Sequence, residues 1–288
     1  MTGTASSAET IDDAQASPSF TYASPELNGL GRGLVRLLEF ATGQPRIRQL
    51  YEDHAKLARP HEYFWQDAID ALEIDLRVNR DAWEVIPASG PLVVIANHPF
   101  GVLDGIILCW LVSQSRSDFQ VMTHRVLHQA PEVRRHILPV DFSGTESALQ
   151  NNLTSRRRAR ELLDSGGALL VFPGGGVARA EGAFGHANDL PWGTLTAKLA
   201  LAAGAPVLPV YFHGQNSRVF HIASAIHQVL RYGMLFHEVR NKIGRRIDVS
   251  MGDVIGHEQL RAFNDLRAAT EFLRGATHAM AGSSAVSA

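Results

Sequence analysis

The sequence has 288 residues, 45% of them hydrophobic, which is enough for one large domain or two modest ones with a substantial core. Its formal net charge of −2 gives no electrostatic reason to expect nucleic-acid binding. The single cysteine, Cys109, excludes a disulfide framework. No stretch approaches about 18 uninterrupted apolar residues, so no transmembrane helix is expected.

The N-terminal part of the chain divides into a polar tail and a helical segment. Residues 1–25 are rich in Ser, Thr and Ala, show no signal-peptide pattern and are predicted to be a disordered tail. Residues 26–80 are predicted to be helical. The three expected helices cover Gly31–Ala41, Pro45–Leu57 and His61–Leu76. The first is amphipathic, with Arg32 and Arg36 among leucines, which suits either a membrane interface or, more commonly, packing on its own domain.

Strand and helix patterns alternate through the rest of the chain. Apolar runs predict six strands, at Leu92–Ala96, Phe119–Met122, Ile137–Val140, Ala168–Phe172, Val207–Phe212 and Ile247–Met251. Helices are predicted at Gly105–Ser115, Val126–Arg135, Ser147–Asp164, Trp192–Ala203, Phe220–Leu235 and His257–Met280. This alternation favours an α/β fold with a largely parallel central sheet flanked by helices. Because no linker interrupts the pattern, residues 81–280 are predicted to form one domain.

The first of these strands ends in Asn97-His98-Pro99, and Asp104 follows near the start of the next helix. Open α/β sheets bind their ligands at the carboxyl ends of the strands, so His98 is a candidate site residue. Asp104 lies six positions after His98, which is not a same-face helical spacing, and the two meet only if the turn folds back. In that case the carboxylate holds one imidazole nitrogen and leaves the other as a base. The alternative is that His98 ends a strand and Asp104 caps a helix.

Three other strands also end in polar or glycine-rich turns. The first turn contains Asp141 and Ser143, and the last contains His213. The second turn consists of Pro173 and three glycines followed by Arg179, and its glycines are Gly174, Gly175 and Gly176. Consecutive glycines allow close approach of a ligand and present backbone N–H groups to an anion. The turn lacks the Lys-Ser/Thr of a Walker loop and the glycine spacing of a dinucleotide site.

Two basic regions are candidate contacts for an acidic partner. The first opens a helical stretch with Arg156, Arg157, Arg158 and Arg160. The second contains Arg218, Arg231, Arg240, Lys242, Arg245 and Arg246. Such surfaces suit an acidic protein, phosphate groups or anionic lipid headgroups, whereas the first region is equally well a solvated helix face.

The ordered set NHPFGVLD, ILPVDFSGT, VFPGGGVAR and VLPVYFHG resembles the four blocks of the glycerolipid acyltransferases, the superfamily of 1-acylglycerol-3-phosphate acyltransferase. The sequence that follows the fourth block is similar to that of the bacterial branch often labelled hemolysin, which includes ornithine-lipid O-acyltransferases. Two features depart from the superfamily pattern. Five residues, instead of four, separate His98 from Asp104, and Phe172 to Val177 replace the family's Phe-Pro-Glu-Gly-Thr-Arg.

The resemblance implies a direct acyl transfer with His98 as general base and Asp104 as the carboxylate that orients it. The positions that it marks for substrate binding are Asn97, Gly101, Gly174, Gly175, Gly176, Arg179 and His213. No cluster of His, Cys and carboxylates in the sequence has metal-ligand spacing, so no metal site is predicted, and no cofactor is expected. The donor would be an acyl thioester of acyl carrier protein or coenzyme A, and the acceptor would be the hydroxyl of a lysolipid.

The altered third block favours an acceptor with one negative charge, such as a lyso-aminolipid of the lyso-ornithine type. One alternative is a lysophosphatidic acid acyltransferase, and another is a non-catalytic lipid- or anion-binding protein with the same fold. The sequence further predicts a peripheral protein at the cytoplasmic face of the inner membrane, with the membrane surface as a partner.

Overall fold

The computed structural model describes residue 21 and residues 29–56, 59–124, 131–141, 144–180, 182 and 185–282. The predicted tail, apart from residue 21, lies outside these ranges. So do Ser143 and residues 126–130 of the helix predicted from Val126.

The N-terminal segment is helical, as predicted. It contains α1 (Gly29–Thr42), α2 (Gln44–Ala55), a short 3-10 helix (His61–Tyr63) and α3 (Phe64–Ala71). The predicted helix to Leu76 is wrong at its end, because Asp75–Val78 forms strand β1. Glu73 has a φ of 51°, a left-handed conformation that stops a helix, and the residues after it pair with another strand.

The remaining strands include all six predicted regions and one extra hairpin. They are β2 (Leu92–Ala96), β3 (Phe119–His124), β4 (Ile137–Val140), β5 (Ala168–Val171), β6 (Arg179–Ala180), β7 (Ala187–Asn188), β8 (Val207–Phe212) and β9 (Arg246–Met251). Strands β6 and β7 form a small antiparallel pair. The other seven strands form one sheet in the order β1-β9-β8-β2-β5-β3-β4. All pairs in it are parallel except β8 with β9, which confirms the largely parallel sheet.

Helices follow the strands and cover both faces of the sheet. They are α4 (Ala82–Val85), α5 (Val102–Ser113), α6 (Glu146–Asp164), α7 (Leu195–Ala203), α8 (Arg218–Ile226), α9 (Gln228–Lys242), α10 (His257–Arg261) and α11 (Leu266–His278). Two predicted helices are each split into two. His227 adopts an extended conformation between α8 and α9, and Asp265 caps a new helix by accepting from Arg267 N and Ala268 N.

The core lies mainly on the two faces of the sheet. Helices α3 and α5 cover one face, and α6, α7 and α11 cover the other. A third, smaller cluster joins Val35 of α1, Phe220 of α8 and Leu235 of α9. Strand β2 lies at the centre of the sheet with all five residues buried, so its carboxyl end is rigidly placed. Among the described residues, no helix is both long enough and apolar enough to cross a membrane.

Candidate active site

The turn after β2 brings His98 and Asp104 together. Asp104 is the third residue of α5, and its Oδ2 lies 2.9 Å from His98 Nδ1. Gly101 permits the turn, since its φ of 91° is rare for any residue with a side chain. A Cβ at Gly101 would also lie 3.1 Å from Leu235 Cδ2 and 3.3 Å from Val177 Cγ2. The fold-back that the sequence required therefore occurs.

The same carboxylate oxygen organises the turn itself. Asp104 Oδ2 accepts hydrogen bonds from Phe100 N at 2.8 Å and Gly101 N at 2.9 Å. Complete burial raises the pKa of Asp104, while the hydrogen bonds from His98 and from the two backbone N–H groups partly offset this rise. Asp104 therefore caps α5 and also contacts the imidazole. The helix cap and the imidazole contact, which the sequence left as alternatives, occur together.

A second buried carboxylate holds the main chain of His98. The His98 N–H donates to Asp189 Oδ1 at 3.0 Å, and Trp192 Nε1 donates to Asp189 Oδ2 at 3.1 Å. His278 Nε2 lies 3.4 Å from the same oxygen. Burial alone would raise the pKa of Asp189, but its interactions with His278, His98 and Trp192 outweigh that effect and lower it. No pattern in the sequence pointed to Asp189, which lies in a connecting segment after β7.

The imidazole of His98 is also fixed by stacking. Its ring lies 4.1 Å from that of Phe172, centroid to centroid, at an interplanar angle of 22°. Since Nδ1 faces Asp104 and the side chain is 18% exposed, Nε2 is the nitrogen left for a substrate. Stacking on Phe172, the contact with Asp104 and the backbone hydrogen bond to Asp189 together set the orientation of the imidazole.

His98 lines a cavity of about 470 Å³. Four other residues predicted to bind substrate also line it, namely Gly101, Gly175, Gly176 and Arg179. Three do not, and their substrate contacts have no support in the geometry. Asn97 is bonded through both amide atoms to the main chain of Phe212, His213 Nε2 lies 2.8 Å from Ser250 Oγ, and Gly174 packs against Leu190.

The basic regions contribute two more arginines to this cavity. Arg156 of α6 and Arg231 of α9 line it together with Arg179 of β6. Burial, followed by the nearby charge of Arg231, lowers the pKa of Arg179. The third sequence block contributes Arg179 alone, so the fold supplies more positive charge to this cavity than the sequence indicated.

A smaller cavity of about 130 Å³ lies beside the first. Its walls are almost entirely apolar and come from α2, α3, α5 and strand β3. Val102, Gly105 and Thr123 line both cavities. The apolar cavity therefore adjoins the cavity that His98 lines. Within the described residues, no three potential metal ligands lie together.

Comparison with known proteins agrees with this architecture. A family model described as acyltransferase matches residues 64–286. Two lyso-glycine lipid O-acyltransferases, from Phocaeicola vulgatus and Bacteroides thetaiotaomicron, are 23% and 22% identical over 153 and 149 residues. Those matches cover 51% of this chain and 51% and 52% of the relatives, so the chain spans about half the length of each. The crystal structure of the 1-acyl-sn-glycerophosphate acyltransferase from Thermotoga maritima is 18% identical, with a TM-score of 0.50 over 86% of both chains.

Proposed function

Because this chain belongs to the acyltransferase family, we propose that it transfers a fatty acyl group from a thioester donor to the hydroxyl of a lysolipid. The observation that carries the proposal is the His98–Asp104 contact of 2.9 Å at the wall of the cavity. The adjoining apolar space is suited to part of an acyl chain.

The geometry supports a direct transfer. His98 Nδ1–H donates to Asp104, so Nε2 accepts the proton of the acceptor hydroxyl as its oxygen attacks the thioester carbonyl carbon. The new ester C–O bond forms and the C–S bond breaks. The imidazolium returns the proton to the leaving thiolate, and the Asp104 carboxylate stabilises that imidazolium in the meantime. General acid–base assistance of this kind contributes about 10²–10⁴-fold in rate.

The proposed acceptor is a lyso-aminolipid with an anionic carboxylate headgroup. The two lyso-glycine lipid O-acyltransferases support a lyso-aminolipid acceptor. Among lyso-aminolipids they favour lyso-glycine lipid over lyso-ornithine lipid. Gly175 and Gly176 line the path that the headgroup would take, and Arg179 supplies positive charge. Lysophosphatidic acid is the second candidate acceptor, favoured by the additional cavity arginines. The thioester is carried by acyl carrier protein or coenzyme A.

We further propose peripheral membrane binding, at the cytoplasmic face of the inner membrane, through α1. Val35 faces the third core cluster, but the opposite face of the helix is apolar and exposed. The exposed fractions are 89% for Leu30, 43% for Leu34, 64% for Leu37 and 71% for Phe40. An apolar stripe beside Arg32 and Arg36 suits a bilayer with anionic lipids.

The deciding experiment compares His98→Ala with wild type in an acyl-transfer assay. His213→Ala is the matched control, because it removes an imidazole at the end of the neighbouring strand that does not line the cavity. His98→Ala should lose activity on every acceptor while His213→Ala retains most of it. Equal turnover by a folded His98→Ala would rule out the mechanism. A wild-type protein that binds lysolipid without acylating it would instead support the non-catalytic alternative.

A further inference from the structure

Two of the arginines that line the cavity lie close enough to affect each other. Arg179 comes from β6 and Arg231 from α9, far apart in sequence. After burial, the nearby charge of Arg231 is the largest contribution that lowers the pKa of Arg179. Like charges held together are unfavourable unless an anion lies between them. Arg179 belongs to the predicted glycine-rich turn, whereas the placement of Arg231 at this cavity is not predictable from its own segment of sequence.

No carboxylate of the described chain neutralises this pair. Neither Arg179 nor Arg231 forms an ion pair there, whereas Arg157 and Arg160 of α6 each face a carboxylate one helical turn away. The described residues that line the cavity include no Asp or Glu. The Arg231 guanidinium lies over the ring of Tyr232, 5.3 Å from its centroid, which leaves its edge open to a ligand. The pair is therefore suited to an external anion.

We propose that Arg179 and Arg231 together bind the anionic headgroup of the acceptor lysolipid, an inference that rests on the proposed acyl transfer. Each guanidinium can donate two parallel hydrogen bonds to a carboxylate or a phosphate. With the headgroup held there and the acceptor hydroxyl at His98 Nε2, the lipid lies along the cavity. Arg231 is then a headgroup-binding residue that lies outside all four sequence blocks.

The position of Arg231 depends on the N-terminal helix. Close approach of α9 and α1 occurs at Gly233, where a Cβ would lie 2.7 Å from Leu38 Cβ. Thr42 Oγ1 also donates to the carbonyl oxygen of Gly233 at 2.9 Å. The helix proposed to contact the membrane therefore supports the segment that carries the headgroup site.

The test uses two acceptors that differ only in headgroup charge, lyso-glycine lipid and its methyl ester, with one acyl donor. Arg231→Ala should lower kcat/KM for the acid by roughly 10- to 100-fold, mainly through KM, because a charge-assisted contact is lost. For the neutral ester, kcat/KM should change by less than about threefold, because the ester offers no charge for Arg231 to bind and substitutions away from a specific contact have small effects. Arg231→Lys should recover part of the loss. Arg157→Ala, which changes an exposed arginine of α6 that does not line the cavity, is the control.

The outcomes separate this inference from the proposed function. A wild-type protein that acylates neither lipid, nor lysophosphatidic acid, contradicts the function itself. An active wild type with Arg231→Ala equally slow on acid and ester, or unchanged on acid, ester and lysophosphatidic acid alike, overturns the headgroup site alone. A loss confined to lysophosphatidic acid supports the site and identifies its anion as a phosphate. Thermal unfolding of each variant shows whether Arg231→Ala is folded, and Arg231→Gln, closer in size, replaces it if it is not.

Discussion

Replacing Asp104 by Asn isolates the charge of the carboxylate from its geometry. Two backbone N–H groups, of Phe100 and Gly101, both donate to Oδ2. An Asn side chain must therefore place its oxygen at that position, because the NH₂ group would meet two donors. That oxygen still accepts from His98 Nδ1. The variant keeps the productive tautomer of His98 and loses the negative charge.

The size of the effect follows from the His98–Asp104 separation. Unit charges about 4 Å apart interact by about 4 kcal/mol at an effective dielectric constant of 20, which is the stabilisation that the imidazolium loses. Since each 1.4 kcal/mol is about a factor of ten, kcat should fall by roughly 10²–10³-fold with little change in KM. Asp104→Ala should be slower still and less stable, by about 1–3 kcal/mol for each backbone donor left without an acceptor.

Steady-state kinetics with a single acceptor, alongside urea unfolding of all three proteins, checks this order. Wild-type turnover by Asp104→Asn would mean that the charge does not assist His98. Asn and Ala variants of equal rate, both folded, would mean that the oxygen does not occupy the position described. Either result would contradict the role assigned to Asp104 Oδ2.

Three further predictions concern residues around His98 and in helix α1. Asp189→Asn should lower kcat about 10-fold or more, because the His98 N–H loses a charged acceptor, and it should also lower stability at neutral pH. The pKa of Asp189 is lowered in the fold. Its contribution to the free energy of unfolding is therefore present above the unfolded pKa of about 3.9 and is lost as the pH falls through the folded pKa. The urea unfolding curves of wild type and Asp189→Asn should accordingly converge in acid. Gly101→Ala should destabilise by about 1–3 kcal/mol in urea unfolding because of its positive φ. Leu37→Ser with Phe40→Ser should reduce sedimentation with anionic vesicles, whereas Leu149→Ser, also exposed, should not.

Periodicity in the sequence was sufficient for most of the sheet. The fully buried strands, such as Leu92–Ala96, appear as continuous apolar runs because helices cover both of their faces. Strand Asp75–Val78 was missed because it lies at the sheet edge with a half-exposed pattern, and only its pairing with β9 identifies it. The break at His227 was missed for a similar reason, since local propensity does not end a helix there.

The contact between His98 and Asp104 was predictable, and the residues around it were not. His98 and Asp104 lie within one turn, so their contact depends on a local conformation that Gly101 makes accessible. Asp189 and Arg231 reach the site from segments about 90 and 130 residues away, and only the tertiary fold brings them there. The surroundings of Asn97 were also not readable from the sequence, because the amide of this strand-end residue bonds the main chain of Phe212 in the neighbouring strand.

The additional residue between His98 and Asp104 is accommodated without loss of the contact. It falls in a turn whose N–H groups, from Phe100 and Gly101, are both bonded to the carboxylate. Asp104 is at the same time the third residue of α5, so a shift along the chain would remove a helix cap and two backbone hydrogen bonds together. One oxygen atom, Asp104 Oδ2, therefore caps the helix, bonds the turn and orients the His98 imidazole. A longer spacing is tolerated wherever that oxygen stays in place, and the distance that matters is the 2.9 Å between Oδ2 and Nδ1 rather than the number of residues.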